Sequence, residues 1–326
     1  MNNTFIKKLI TITITSLSLA VPNQVAGQET SISEDGNDPH IVLITGARFA
    51  YPLIQKWIDD YNKVRPDVQL VIEARGWADP AKYDLLIEAY DPDDAAKKNR
   101  EQIYVARYAI VPVANSYSEY AKTYGEKGLN KDLINQLFFH DIYADKEKQI
   151  EIKTPYTIYT RLQQAGVPTV FARYFGYEQN DIKGKSIAGA DEHLLKAVLR
   201  DSTGISYLPL TFIYDHTSGK PIEGLTVLPV DLNGNGKIND DERIFGDLST
   251  VIQLLENRLS KERKNIPIEY LHFSIDKNTA NKDAIDFLQW VINNGVKDLH
   301  AFGYLHPEPD RVDRNKFEQF ASKRTK

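Results

Sequence analysis

The chain has no cysteine in 326 residues. Without thiols it forms no disulfides, so its stability rests on a hydrophobic core, which a chain of this length can bury. A cysteine-ligated metal is excluded, and so is a lipid anchor attached to a cysteine behind an export signal. A basic block is lacking too: 40 Lys and Arg stand against 45 Asp and Glu, a formal net charge of −5. Nucleic-acid binding draws most of its affinity from a basic face, so that class is set aside. The apolar run LITITITSLSLAV falls far short of the roughly 20 residues a membrane span needs. The signatures G-x-S-x-G and H-E-x-x-H are absent as well. The seven histidines are scattered, and His140, His272 and His300 sit in contexts that fit core or surface roles. The chain reads as a non-enzyme.

What is present begins with Lys7 and Lys8, just ahead of that apolar run. Small residues offer cleavage sites at Ala20 or around Ala26-Gly27, and the polar stretch GQETSISEDGND follows. This order predicts a secretory signal over residues 1–27 and a mature N-terminus between residues 21 and 29; the alternating TITIT read as a first strand is the alternative. The expected location is the periplasm of a two-membrane bacterium, or secretion.

From residue 40 onward apolar runs alternate with helical spacing. HIVLITG is continuous, as in a strand covered on both faces. In YPLIQKWIDDYNKVRP, Leu53, Trp57, Tyr61 and Val64 fall on one helical face, widened by Ile54 and Ile58. VQLVIEA reads as a strand, AKYDLLIEAY as a short helix and strand, and QIYVARYAIVPVAN as a long strand. A polar helical stretch, YSEYAKTYGEKGLNKDLINQLFFHD, leads to a second α/β segment. There YTIYTR, GISYLPLTFIYD, GLTVLPV and PIEYLHFSID read as strands. VPTVFARYFG, DEHLLKAVLRD, LSTVIQLLENRLS and NKDAIDFLQWVINNGVKDLHAFGY read as helical. This alternation predicts an α/β fold with a parallel sheet, and a chain this long suits two lobes. Exported two-lobed α/β proteins bind small ligands where the lobes meet.

TGARFAYPLIQKWIDDY, VARYAIVPVANS, KGLNKDLINQLFF, the segment from IYTR to FARYFG, DSTGISYLPL and AIDFLQWVINNG together resemble, in order and spacing, the periplasmic phosphate-binding proteins of ABC transporters. The resemblance covers most of the chain from residue 40. It implies the two-lobed type II periplasmic binding protein fold, each lobe a sheet flanked by helices. Lobe one is then residues 38–113 plus 268–326 and lobe two 114–267, with a hinge of two crossing strands near IVPVAN and YLHFSID. It also implies an oxyanion ligand, phosphate first, a transporter permease as partner, and a monomer with no membrane anchor.

Three ligand segments carry over from the resemblance. At the turn TGARF, Arg48 stands where the family has threonine, and Phe49 matches its phenylalanine; backbone N–H groups at such a helix start suit an anion. EARGWADP takes the place of the family's serine-glycine loop, which brings in Gly76 and Trp77, with Arg75 beside them. In RLQQAGVPT, Arg161 and Gly166 match the family's arginine and glycine, Ala165 and Val167 replace a serine and a threonine, and Thr169 offers a hydroxyl. The family's aspartate, which accepts the proton of hydrogen phosphate, falls near Ala89, between Glu88 and Asp91. Two arginines facing one site would favour an anion, since guanidinium forms bidentate bonds to phosphate or carboxylate. The plainer reading makes Arg48, Arg75 and Arg161 surface or ion-paired residues.

DLNGNGKINDDE, Asp231 to Glu242, fits D-x-[DN]-x-[DN]-G-x5-E without a gap. Asp231, Asn233, Asn235 and a bidentate Glu242 are the expected side-chain ligands for Ca²⁺; Lys237 offers its carbonyl, Asn239 acts through water and Gly236 makes the sharp turn. The competing reading is a plain turn built on Asn-Gly. A calcium-dependent adhesion or assembly protein that has lost its solute site is the second functional reading.

Overall fold

The computed structural model describes residues 40–73, 79–91, 94–140, 149–256, 265–278, 281–309, 311 and 314–322. The expected export signal and the loop with Arg75, Gly76 and Trp77 lie outside the described residues. β1 (His40–Gly46) runs into a helical turn, Arg48–Ala50, and then α1 (Tyr51–Tyr61). Val42 and Ile44 of β1 are fully buried. Leu53, Ile54, Trp57, Ile58 and Tyr61 of α1 are buried, and Pro52 sits in its first turn, where a missing N–H leaves no partner unsatisfied. The stripe stops one turn short of expectation: Val64 is 63% exposed. The helix ends at Tyr61, and the Val64 N–H closes a turn on the Tyr61 carbonyl.

β2 (Val68–Ile72) and β3 (Leu85–Glu88) follow, then α2 (Asp94–Asn99) and the 16-residue β4 (Arg100–Asn115). The polar helical stretch is two helices, α3 (Glu119–Lys127) and α4 (Lys131–Phe138). The Ser118 hydroxyl and the Asn130 carboxamide oxygen cap them by accepting from Ala121 N at 2.8 Å and Leu133 N at 2.9 Å. Next come β5 (Thr157–Arg161), α5 (Gly166–Phe175), β6 (Lys185–Ile187), α6 (Asp191–Arg200), β7 (Gly204–Pro209) and β8 (Leu225–Val227). The chain continues through α7 (Leu248–Glu256), β9 (Ile268–Asp276), α8 (Lys282–Asn294) and α9 (Arg314–Ser322). The long strand expected over GISYLPLTFIYD is cut at Pro209, after which Leu210–Phe212 form a helical turn. Among the described residues no helix is long and apolar enough to cross a membrane.

The described strands form one sheet in the order β2-β1-β3-β9-β4-β7-β5-β6, with β8 paired to β4. β1 is parallel to β2 and β3, and β5 is parallel to β6 and β7. The parallel pairing expected from the alternation forms within each half of the sheet, and antiparallel strands join the halves. β9 comes back from late in the chain and inserts antiparallel between β3 and β4. β4 is antiparallel to β7 and β8. β4 ties the two halves of the sheet together: Arg100 to Ala109 pair with β9, with an irregularity between Tyr104 and Ala106, while Ile110 to Ala114 pair with β7.

Candidate functional site

The first anion segment is set by how tightly β1 meets β3. Gly46 has φ +135°, and a Cβ there would lie 2.1 Å from the Ile87 carbonyl oxygen, so only glycine fits. Ala47 N donates to the same carbonyl at 2.8 Å. The chain then turns sharply, with no side chain capping the Arg48–Ala50 turn. Arg48 is exposed and Phe49 is buried. The Phe49 ring lies 4.8 Å from that of Tyr108 on β4, and its carbonyl accepts from the Tyr304 hydroxyl at 3.0 Å.

The second segment starts at the end of β5. Arg161 Nη1 donates to Asp191 Oδ1, in the first turn of α6, at 2.7 Å, and the two side chains are only 11% and 7% exposed. Burial raises the Asp191 carboxyl above its ordinary value against the pull of Arg161. Arg161 Nε is buried without a hydrogen-bond partner. A charged donor left unsatisfied in the interior is unfavourable by several kcal/mol in order of magnitude. The N-terminus of α5 also lacks a side-chain cap. Thr169 does not offer a free hydroxyl: it donates to Gln179 Oε1 at 3.1 Å, the same oxygen that accepts from Ala165 N.

The two segments meet through β3. A Cβ on Gly166 would lie 2.7 Å from the Ala89 side chain, so α5 begins in close contact with the residue just beyond β3. The Ala89 carbonyl accepts from the Tyr108 hydroxyl, and Tyr108 packs on Phe49. Phe49, Ala89 and Gly166 are thus joined around a fully buried tyrosine ring. The acids flanking Ala89 are engaged elsewhere. Asp91 accepts from the Tyr104 hydroxyl at 2.6 Å. Glu88 lies 3.3 Å from Nε2 of the fully buried His272; burial acts to raise its carboxyl, but His272, Ser274 and Arg100 outweigh this and hold it below its ordinary value.

The DLNGNGKINDDE loop is folded around its two terminal carboxylates, both buried. Asp231 accepts from the N–H groups of Gly234, Asn235 and Gly236 at 2.7, 3.1 and 2.7 Å. Glu242 accepts from Leu232, Asn233 and Asn239 at 2.7, 3.1 and 2.8 Å. Asn233, Asn235 and Lys237 are exposed. Ile238 anchors the loop on Gly128, between α3 and α4, where φ is +66° and a Cβ would overlap the isoleucine side chain.

A third cluster has no counterpart in the sequence reading. Glu256 at the end of α7, His300 in a helical turn after α8, and His306 further along come within bonding reach of one another. His306 is positioned by β4, since Arg107 Nε donates to its carbonyl at 2.8 Å and Arg107 and Leu305 exchange backbone hydrogen bonds. His300, whose sequence context fits a core or surface role, is half-exposed and lies 3.1 Å from both His306 Nδ1 and Glu256 Oε1. The spacing of the two histidines is visible in the sequence, but their glutamate partner is 44 residues before the first of them.

Two strands, β4 and β9, running through a two-part α/β sheet, with a helix start from each part meeting near the strand ends, define a type II periplasmic binding protein fold. The same architecture is found in an ABC-type phosphate transport receptor from Vibrio cholerae (TM-score 0.55, 10% identity, 82% of this chain and 100% of that one). It is also found in a Clostridium perfringens protein solved with bound phosphate and described as a phosphate ABC transporter substrate-binding protein (TM-score 0.59, 14% identity, 82% of this chain and 100% of that one). Among curated proteins, the phosphate-binding protein PstS of Methanocaldococcus jannaschii is 24% identical, over 92% of this chain and 92% of its own length. No protein-family model matches the chain. The resemblance to periplasmic phosphate-binding proteins therefore holds along nearly the whole chain.

Proposed function

We propose that this chain is an exported solute-binding protein of phosphate-binding type, which captures a small oxyanion between the two parts of its sheet and delivers it to an ABC transporter permease. The observation that carries this reading is Arg161 Nε, a buried guanidinium donor without a partner, at the head of the α5 segment. An oxyanion oxygen is the acceptor such a donor suits. The relatives that resemble the chain are phosphate-binding by name, which puts phosphate first. Ala89, Ala165 and Val167 supply no polar side chain, so selectivity among oxyanions should be broad and affinity modest. Titration of the purified protein with phosphate, sulfate and small carboxylates tests this. Arg48→Ala should weaken the preferred anion about tenfold, the value of one charge-assisted contact, and leave stability unchanged because Arg48 is exposed. If the wild type takes up none of these anions, the adhesion reading replaces this one.

Calcium belongs to this reading as a structural ion. The gapless ligand pattern from Asp231 to Glu242 and the burial of both terminal carboxylates support it. With asparagine at two ligand positions the side-chain ligands carry only the charges of Asp231 and Glu242, so affinity should lie near 10⁻⁴–10⁻³ M, roughly the range of extracellular modules. Calorimetry should show one weak Ca²⁺ site in the wild type and none in Glu242→Gln. If millimolar Ca²⁺ shifts neither heat nor melting temperature, the loop is only a turn.

A further inference from the structure

We propose that Glu256, His300 and His306 form a mononuclear site for a divalent transition metal, with Zn²⁺ the best-suited ion. The three ligand atoms make a nearly equilateral triangle. His300 Nε2 lies 3.1 Å from His306 Nδ1 and 3.1 Å from Glu256 Oε1, and His306 Nδ1 lies 3.2 Å from the same Oε1. Zinc holds nitrogen and oxygen ligands at about 2.0–2.2 Å in a tetrahedron, whose edges are then about 3.3 Å. The triangle is thus close to one tetrahedral face, and a small expansion places a metal just off its plane.

A cation bound to all three groups would meet one lone pair from each, two from imidazole nitrogens and one from the carboxylate.

The donor set and its surroundings fit the ion. Two imidazoles and one carboxylate suit a borderline cation better than Mg²⁺ or Ca²⁺, which prefer all-oxygen ligands. The His300 and His306 side chains are 44% and 42% exposed, which leaves the fourth position to water. Glu256 is held from behind, since its Oε1 also accepts the His306 N–H. Glu256 precedes β9 in the chain and both histidines follow α8, so the metal would staple together segments that are 44 residues or more apart in sequence.

The test uses tag-free protein, stripped with chelator, titrated with Zn²⁺ and separately with Co²⁺. One zinc should bind per chain, and the cobalt form should show the visible absorption of a four- or five-coordinate site. His300→Ala and His306→Ala should each weaken zinc at least about tenfold and abolish the cobalt bands. Both histidines are exposed enough that these variants should keep wild-type circular dichroism. Glu256→Gln should weaken zinc likewise. Sub-stoichiometric zinc binding, or zinc affinity unchanged in both histidine variants, overturns the proposal. Phosphate uptake has no part in this readout, so its outcome is independent of the solute-binding reading.

Discussion

Arg161→Ala is expected to lower stability by about 3–5 kcal/mol and to abolish anion binding together. The size follows from the partner. Asp191 is almost wholly buried and its near neighbour is the Arg161 guanidinium. Removing one member of such a pair leaves an uncompensated charge in the interior, which is far worse than never having had the pair. The pH dependence has a definite sign. The Asp191 carboxyl already lies above its ordinary value of 3.8 because burial outweighs Arg161, and without Arg161 it rises further. A folded-state pKa above the unfolded one means that folding is favoured while the group is protonated and loses stability as pH climbs through the window between the two. The deficit of the variant should therefore be largest near neutral pH and shrink as pH falls toward 4. Urea unfolding at several pH values measures it. Arg161→Ala with Asp191→Ala should recover most of the stability without recovering phosphate binding, which separates the structural part of the arginine from its ligand part. A single variant as stable as wild type at pH 7 would mean that the buried pair does not exist.

Gly46→Ala should be comparably damaging, by about 4 kcal/mol. The new Cβ would stand 2.1 Å from the Ile87 oxygen and 2.7 Å from the Ile87 nitrogen, at a φ of +135° that alanine avoids. Backbone strain of roughly 1–3 kcal/mol adds to an overpacking penalty of similar size, and the obstacle is main chain that cannot rotate away. Because Gly46 pairs with Ile87 and feeds the Arg48–Ala50 turn, the anion site should be displaced along with the strand. Gly125→Ala is the control. Gly125 lies in α3 with nothing within 4 Å of where a methyl group would stand, so this change should be neutral or stabilising by up to about 1 kcal/mol. Thermal or urea melts of the two variants make the comparison, and equal effects would refute the steric account of Gly46.

The parts legible in the sequence are those whose signal is local. HIVLITG, the α1 stripe and the long run of β4 announce themselves because burial on one or both faces writes a period into neighbouring residues. β6 carries no such period: its Lys185 and Ser186 are exposed and Ile187 half-buried, so nothing apolar repeats. The order of strands is hidden for a different reason. Whether β9 pairs with β3, with β4 or with both depends on residues about 160 or more positions away, and no short window holds that information. The same holds for the site. Arg161 and Gly166 can be found by spacing, but nothing local matches Asp191, 30 residues on, with Arg161; only the folded chain brings the two into contact. Thr169 looks like a spare hydroxyl in the sequence because Gln179, its acceptor, is a full helix away. The approach of Gly166 to Ala89 and the grouping of Glu256 with His300 and His306 are likewise products of tertiary closure.

The insertion of β9 between β3 and β4 also bears on the order in which the chain can fold. β3 and β4 are neighbours in sequence, yet each is completed only by a strand at residues 268–276. Until that strand arrives, β3 and the first part of β4 present unpaired edges, and closing so long a loop carries an entropic penalty before any contact repays it. β1 with β2 and β3, and β5 with β7, pair within about fifty residues and can form first. A chain emerging N-terminus first therefore cannot close the seam between β3 and β4 until nearly all of it has been made, which makes the docking of β9 a late step.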